Sequence, residues 1–219
     1  MYSINQSIMK KITLITLSFL FLACSKKEVL LPQLDQTIVA DVKDLSPIYM
    51  FFETNGKDTL IDVNRSNSIS STNWLFNIDK RLPLKLVIPE IQKLQAKKEK
   101  SVHKSETSEN YFTYMDKNKK ALAFMPFGEV EFSFNKPSVG SNIIYFDRDG
   151  KIFFNHQLLS KKELDKYING LFIEKESSIY IGYNKNLSYE NYLEYRLLAK
   201  KIVITKLGLS VDYTKEFVY

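Results

Sequence analysis

Apolar and polar positions change their period several times along this chain. Ile48 to Phe52 and Leu60 to Val63 are β-favouring runs on either side of Thr54-Asn55-Gly56-Lys57. Asn-Gly between such runs predicts a tight hairpin, because both central residues of a type I′ turn need positive φ. Residues 74–78, Trp-Leu-Phe-Asn-Ile, read as a buried strand. Leu84, Val87, Ile88, Ile91 and Leu94 then recur at helical spacing. Pro89 lacks a backbone donor and clashes with the preceding turn, so the regular helix is predicted from Pro89, at its first position, to about Glu99. Residues 111–115 and 121–127 bracket a polar turn as a second hairpin, and residues 129–134 alternate as a further strand.

Lys136-Pro137-Ser138-Val139-Gly140-Ser141 has the composition of a linker. Beyond it, residues 142–146 and 151–154 are predicted strands joined by Asp147-Arg148-Asp149-Gly150. Ser160-Lys161-Lys162-Glu163 is a capping box opening a helix with Leu164, Tyr167, Ile168 and Leu171 as its buried stripe, and Gly170 stops it. Residues 178–183 are a third strand. Ser188 caps a second helix to about Lys201, with Tyr189, Tyr192, Leu193, Leu197 and Ile202 facing a sheet, and residues 204–211 close the unit. The expected class is α+β: a C-terminal β-β-α-β-α-β sheet over 142–211 with two helices on one face, preceded by a β-hairpin-rich region over 47–135 with one helix. The tail, 212–219, alternates in a way that suits a strand added to a sheet edge, its own or a partner's.

The N-terminus carries a different signal. Lys10-Lys11 precede an apolar run, residues 12–23, that is too short to span a bilayer. Charged start, apolar core and a small residue before the cut make a secretory signal over 1–23. The next residue, Cys24, is the sole cysteine, and its spacing is similar to a bacterial lipobox. The expectation is lipid attachment at Cys24, a tether over 24–46, and a periplasm-facing position in the bacterial envelope. The membrane is then a partner through the lipid anchor.

Charge and composition narrow the function classes. The formal net charge of +6 falls to +4 once Lys10 and Lys11 are removed with the signal. Lysines scattered among acids form a solvated face rather than an Arg-and-aromatic nucleic-acid surface, so no nucleic acid is expected. Nucleophilic catalysis needs a base beside the nucleophile. The chain offers His103 in a polar loop and His156 at a hairpin exit. Asp147, Asp149 and Gly150 lack the Glu of a calcium loop, Leu158 standing at the twelfth position, and no His or Cys pair has metal spacing. No cofactor is expected. A carboxylate-only enzyme stays open.

The order of elements and three stretches of sequence resemble the periplasmic domain of the ExbD/TolR biopolymer-transport family. The stretches are 144–155 with 160–164, 179–189, and 204–209, in order and at natural spacing, spread over about seventy residues. The resemblance implies the fold, an envelope location and a habit of binding envelope proteins, with a second copy of the chain among the partners open to it. It does not imply proton coupling: family members carry a transmembrane helix with an acidic residue, and the segment here is a signal without Asp or Glu. Asn184 also stands where the family often has Asp. Candidate interaction residues are Lys185, in the turn after the third strand, and Tyr189, Tyr192 and Tyr195, three apart on one helix. These tyrosines could stack on peptidoglycan sugars, a ligand of some relatives, or cover the sheet as core. The expected role is a non-catalytic interaction or scaffold module of an envelope transport complex. A peptidoglycan-binding module is the alternative.

Overall fold

The computed structural model describes residues 27–128, 130–171, 176–205 and 207–219; Cys24 and the segment read as a signal lie outside these residues. The fold is α+β, with three helices and two mixed six-stranded sheets among the described residues.

The first sheet contains β1 (Gln33–Leu34), β2 (Leu45–Asn55), β3 (Asp58–Asn64), β4 (Asn73–Ile78), β5 (Asn110–Asp116) and β6 (Ala121–Pro126). The order is β1-β5-β4-β2-β3, with β6 on the other side of β5. Strands β2, β4 and β5 are parallel, and α1 (Leu84–Glu99) makes the crossover between β4 and β5. The hairpin turn falls one residue later than the sequence suggests. Asn55 pairs with Asp58, which leaves Gly56-Lys57 as the two-residue loop and gives Gly56 its φ of +60°.

The second sheet contains β7 (Glu131–Ser133), β8 (Asn142–Phe146), β9 (Ile152–Phe154), β10 (Gln157–Leu159), β11 (Ser177–Tyr183) and β12 (Leu209–Val218), in the order β10-β9-β8-β11-β12-β7. Helix α2 (Lys161–Asn169) precedes β11, and α3 (Tyr189–Lys200) crosses from β11 to β12. The capping box of α2 is in place, with Ser160 N–H donating to the Glu163 carboxylate at 2.8 Å. Strand β10 is an addition to the expected order. It exists because Asn155 and His156 both take positive φ, 46° and 72°, and so close a two-residue hairpin without glycine.

Three boundaries differ from the sequence reading, each through tertiary contacts. Helix α1 starts at Leu84 and keeps Pro89 inside it. Its first amides need no side-chain cap: Leu84 N–H donates to the Leu187 carbonyl and Lys85 N–H to the Lys185 carbonyl. Full burial of Leu84, Val87, Ile88, Ile91 and Leu94 offsets the bond that Pro89 cannot make. The last strand is 209–218, so the tail is part of a sheet interior, between β11 and β7. Residues 202–205 run outside it, held by Asn169, which donates to the Val203 carbonyl and accepts from Thr205 N–H. Strand β7, expected with the first region, pairs instead with β12 in the second sheet.

The stretch read as a tether packs on the body from Lys27 onward. Leu30, β1 and Lys27 lie across the carboxyl ends of the first sheet's parallel strands: Leu30 O accepts from Lys80 N–H, and Pro32 O and Leu34 O accept from Met115 and Lys117. Lys27 bridges Glu53 and Asp62 over the Phe51 ring.

The two sheets repeat one plan. Each has a hairpin, a parallel strand, a crossover helix and another parallel strand: β3-β2-β4-β5 in the first, β9-β8-β11-β12 in the second. The turns before the crossover helices match bond for bond. Asp79 and Asn184 each accept, through a side-chain oxygen, the amide two residues on, and their carbonyls accept from Leu82 and Leu187. Asp79 N–H donates to Met50 O and Asn184 N–H to Phe146 O. These turns also meet each other. Leu84 N–H to Leu187 O is mirrored by Tyr189 N–H to Leu82 O, and Lys85 N–H to Lys185 O by Glu190 N–H to Lys80 O. The chain is thus two related halves joined about a local two-fold through Pro83 and Ser188.

Candidate functional site

Of the residues singled out in the sequence, the structure separates Lys185 from the three tyrosines. Tyr189 and Tyr192 are fully buried and Tyr195 is 8% exposed, so none presents a face to a sugar. They are core. Tyr192 and Tyr189 pack edge-on against Phe112 of the first sheet, and Tyr195 stacks on Phe146 at 4.8 Å. Helix α3 is buried nearly all round because elements of both halves cover it.

Beneath α3 lies an ion pair that the sequence pattern did not reveal. Arg196 Nε donates to Glu216 at 2.7 Å, Tyr192 Oη donates to the other Glu216 oxygen at 2.7 Å, and Arg196 also reaches the Pro126 carbonyl. Burial works against the charge of Arg196, but the Glu216 carboxylate outweighs it and holds the guanidinium protonated. Burial, then Glu216, pushes the Tyr192 hydroxyl well above its ordinary range. Every polar atom here faces protein, so the group ties the halves together.

The other buried acids are equally engaged. Asp79 is desolvated, yet Arg81 and the Leu30 and Arg81 amides hold its carboxyl below the usual range. Asp116 is held low by Thr37 and the Lys119 and Asn118 amides. Asp79, Asp116 and Glu216 each sit in a separate place with fixed donors. Lys98 is a further buried base: its Nζ donates to the Glu109 carbonyl and Asn110 Oδ1 and lies 5.1 Å from the Trp74 ring centre. Burial, aided by Lys104 and opposed by Glu109, pushes its pKa down to about 8. It borders a cleft of about 620 Å³ whose rim mixes Glu99, Glu106, Glu109 and Glu131 with lysines.

Lys185 borders a second cleft, of about 560 Å³, on the outer face of the second sheet. Strand register builds its floor. Phe153, Tyr145, Gly182 and Phe217 are neighbours across four strands. Gly182 lets the Ile143 and Tyr145 side chains of the floor close over β11: a Cβ there would lie 2.8 Å from Ile143 Cδ1 and 3.1 Å from Tyr145 Cδ2. Tyr145 stacks on Tyr219 at 4.9 Å, and Lys136 sits 5.6 Å from the centre of the Tyr219 ring. The turn after β11 adds Asn184, Lys185 and Asn186, and the β9-β10 turn adds His156. Burial raises the Tyr145 hydroxyl, and burial beside Tyr145 pushes Tyr219 up to about 12, so both are neutral donors near pH 7.

Every ionisable side chain on this rim other than the tyrosines is a base: Lys136, His156 and Lys185. An apolar floor under basic side chains suits a ligand with an apolar part and an anionic part. Sequence reasoning reached Lys185 and passed over Tyr145, Phe153, Tyr219, Lys136 and His156. One signal was available, since a glycine inside the run 179–183 marks a place where something approaches the strand closely. The remainder depended on which strands became neighbours.

No known protein family, curated protein or solved structure matches this chain. Among the described residues no helix is long and apolar enough to cross a membrane, and no group of His, Cys, Asp or Glu is arranged to hold a metal ion.

Proposed function

We propose that this protein is a non-catalytic interaction module of the bacterial cell envelope, lipid-anchored through Cys24, facing the periplasm, and serving an ExbD/TolR-like transport complex. The observation that carries the reading is the outer cleft of the second sheet, an apolar floor with Lys136, His156 and Lys185 around it. The buried acids support it, because Asp79, Asp116 and Glu216 are each saturated by fixed donors instead of converging on one cleft. The peptidoglycan alternative rested on Tyr189, Tyr192 and Tyr195, and their burial takes away its contact residues.

Two measurements test the proposal. Radiolabelled palmitate should enter the wild-type protein and be lost from Cys24→Ser, with the variant released from membranes. Cross-linking in intact envelopes should join the wild-type protein to a defined partner, and Lys185→Glu should weaken that product. An unlabelled wild type, or a protein that cross-links to nothing, overturns the reading.

A further inference from the structure

We infer that the outer cleft of the second sheet takes an acidic peptide segment of a partner protein, seating an apolar side chain on Tyr145, Phe153 and Ile143 and a carboxylate among Lys136, Lys185 and His156. The inference rests on the interaction-module reading above and names its ligand class.

Three observations converge on this occupant. The first is charge. Lys185 and His156 make no side-chain hydrogen bond or ion pair among the described residues, and Lys136 has the Tyr219 ring beside it. No acidic side chain lines the cleft, and the exposed residue Lys85 is bonded through its amide to the Lys185 carbonyl. The second is shape. Tyr145 and Tyr219 lie against each other and Gly182 flanks Tyr145, so the pair gives an apolar floor with ring edges rather than an open ring face for a sugar.

The third comes from the first half of the same molecule. There an extended stretch of chain, from Lys27 to Leu34, already lies across the corresponding strand ends. Lys80, the counterpart of Lys185, donates its amide to Leu30 O, as Lys185 does to Tyr219 O. Lys27 of that stretch sits over Phe51 and bridges Glu53 and Asp62. A basic segment therefore docks on an acidic, aromatic surface in one half. In the second half Tyr219 already takes the backbone position that Leu30 takes in the first, so the precedent is one of charge pairing alone: the bases around the cleft call for acids in its occupant.

The test is NMR titration of the protein from Lys27 onward with acetyl-Leu-Asp-Glu-Phe-Glu-amide at about 20 mM salt, where screening is weak. Amides of Ile143, Tyr145, Phe153, Gly182 and Lys185 should shift together and saturate. Binding should weaken about tenfold, or 1.4 kcal/mol, for Lys136→Glu and for Lys185→Glu, and for the peptide with Asn and Gln in place of its acids. Both variants replace exposed or half-exposed side chains, and unchanged amide spectra away from the cleft check that they fold. Shifts centred on Lys98 and Glu109, equal binding of the uncharged peptide, or saturable binding of a disaccharide stem-peptide fragment in preference to the acidic peptide would each overturn the inference. Envelope cross-linking that survives Lys185→Glu would also sink this cleft assignment while leaving the interaction-module reading standing.

Discussion

At the scale of single residues, the molecule concentrates its risk at Arg196. The guanidinium and the Glu216 carboxylate are 5% and 4% exposed, so neither side chain can turn to water if its partner is lost. Arg196→Met should destabilise the protein by about 3–5 kcal/mol in urea unfolding, because it strands a buried carboxylate. Adding Glu216→Leu to it should recover most of that loss. Gly182→Ala tests the cleft floor. Its Cβ must push Ile143 Cδ1 and Tyr145 aside, and a cost of about 1–3 kcal/mol in the same assay is expected for overpacking. Lys98 and the buried tyrosines set the response to alkali. Folding lowers the Lys98 pKa from 10.5 to about 8, so between those values the unfolded chain binds more protons and stability rises with pH. Tyr183, Tyr189 and Tyr192 are shifted upward by burial, so above about pH 10 the folded state binds more protons and stability falls. Urea midpoints should climb from pH 8 to 10 and drop beyond, and Lys98→Met should reduce the climb, leaving the drop and the share of Lys200, whose pKa burial and Arg196 also lower.

At the scale of elements, α1 shows how neighbours settle a boundary. Its apolar spacing was legible from Leu84, but Pro89 argued for a later start. What decided the matter was the Leu187 and Lys185 carbonyls, supplied by a turn about a hundred residues away in the chain. Pro89→Ala should raise stability by about 1–2 kcal/mol, by restoring one helical bond and removing the clash with the previous turn, less the stiffness proline gives the unfolded chain. Calorimetry reads this as a higher melting temperature. The capping box of α2 and the hairpin turns were legible for the opposite reason, since the contacts that close them join residues two to five apart. Strand β10 escaped notice because Asn155-His156 lacks the glycine that flags such turns. The closing strand was set too early, at 204–211, and the alternation of 212–219 was read as an edge addition, because nothing along the chain shows that β7 covers that edge.

At the scale of the whole molecule, the local two-fold makes each half complete the other. α1 donates from Gln92 and Gln95 to the Phe132 and Val130 carbonyls, and α3 rests on Phe112 of the first sheet. Cutting the chain within 136–141 and co-producing fragments 27–138 and 139–219 should give a one-to-one complex by size-exclusion chromatography. The second fragment alone should be unfolded or self-associated, since α3 would expose Tyr189 and Tyr192. A folded, monomeric second fragment indifferent to the first would refute this account of the joint core.

The sequence by itself determined the α+β class, most helices and hairpins, and the turn that holds Lys185. Those features rest on periodicity and on bonds between near neighbours, which composition encodes locally. Only the tertiary structure decided that Tyr189, Tyr192 and Tyr195 are core, that β7 and the last residues join the second sheet, and that Tyr145, Phe153, Tyr219, Lys136 and Lys185 share one cleft. Such groupings depend on strand order and on a two-fold between distant turns, and residues that meet across a sheet leave no spacing along the chain to read.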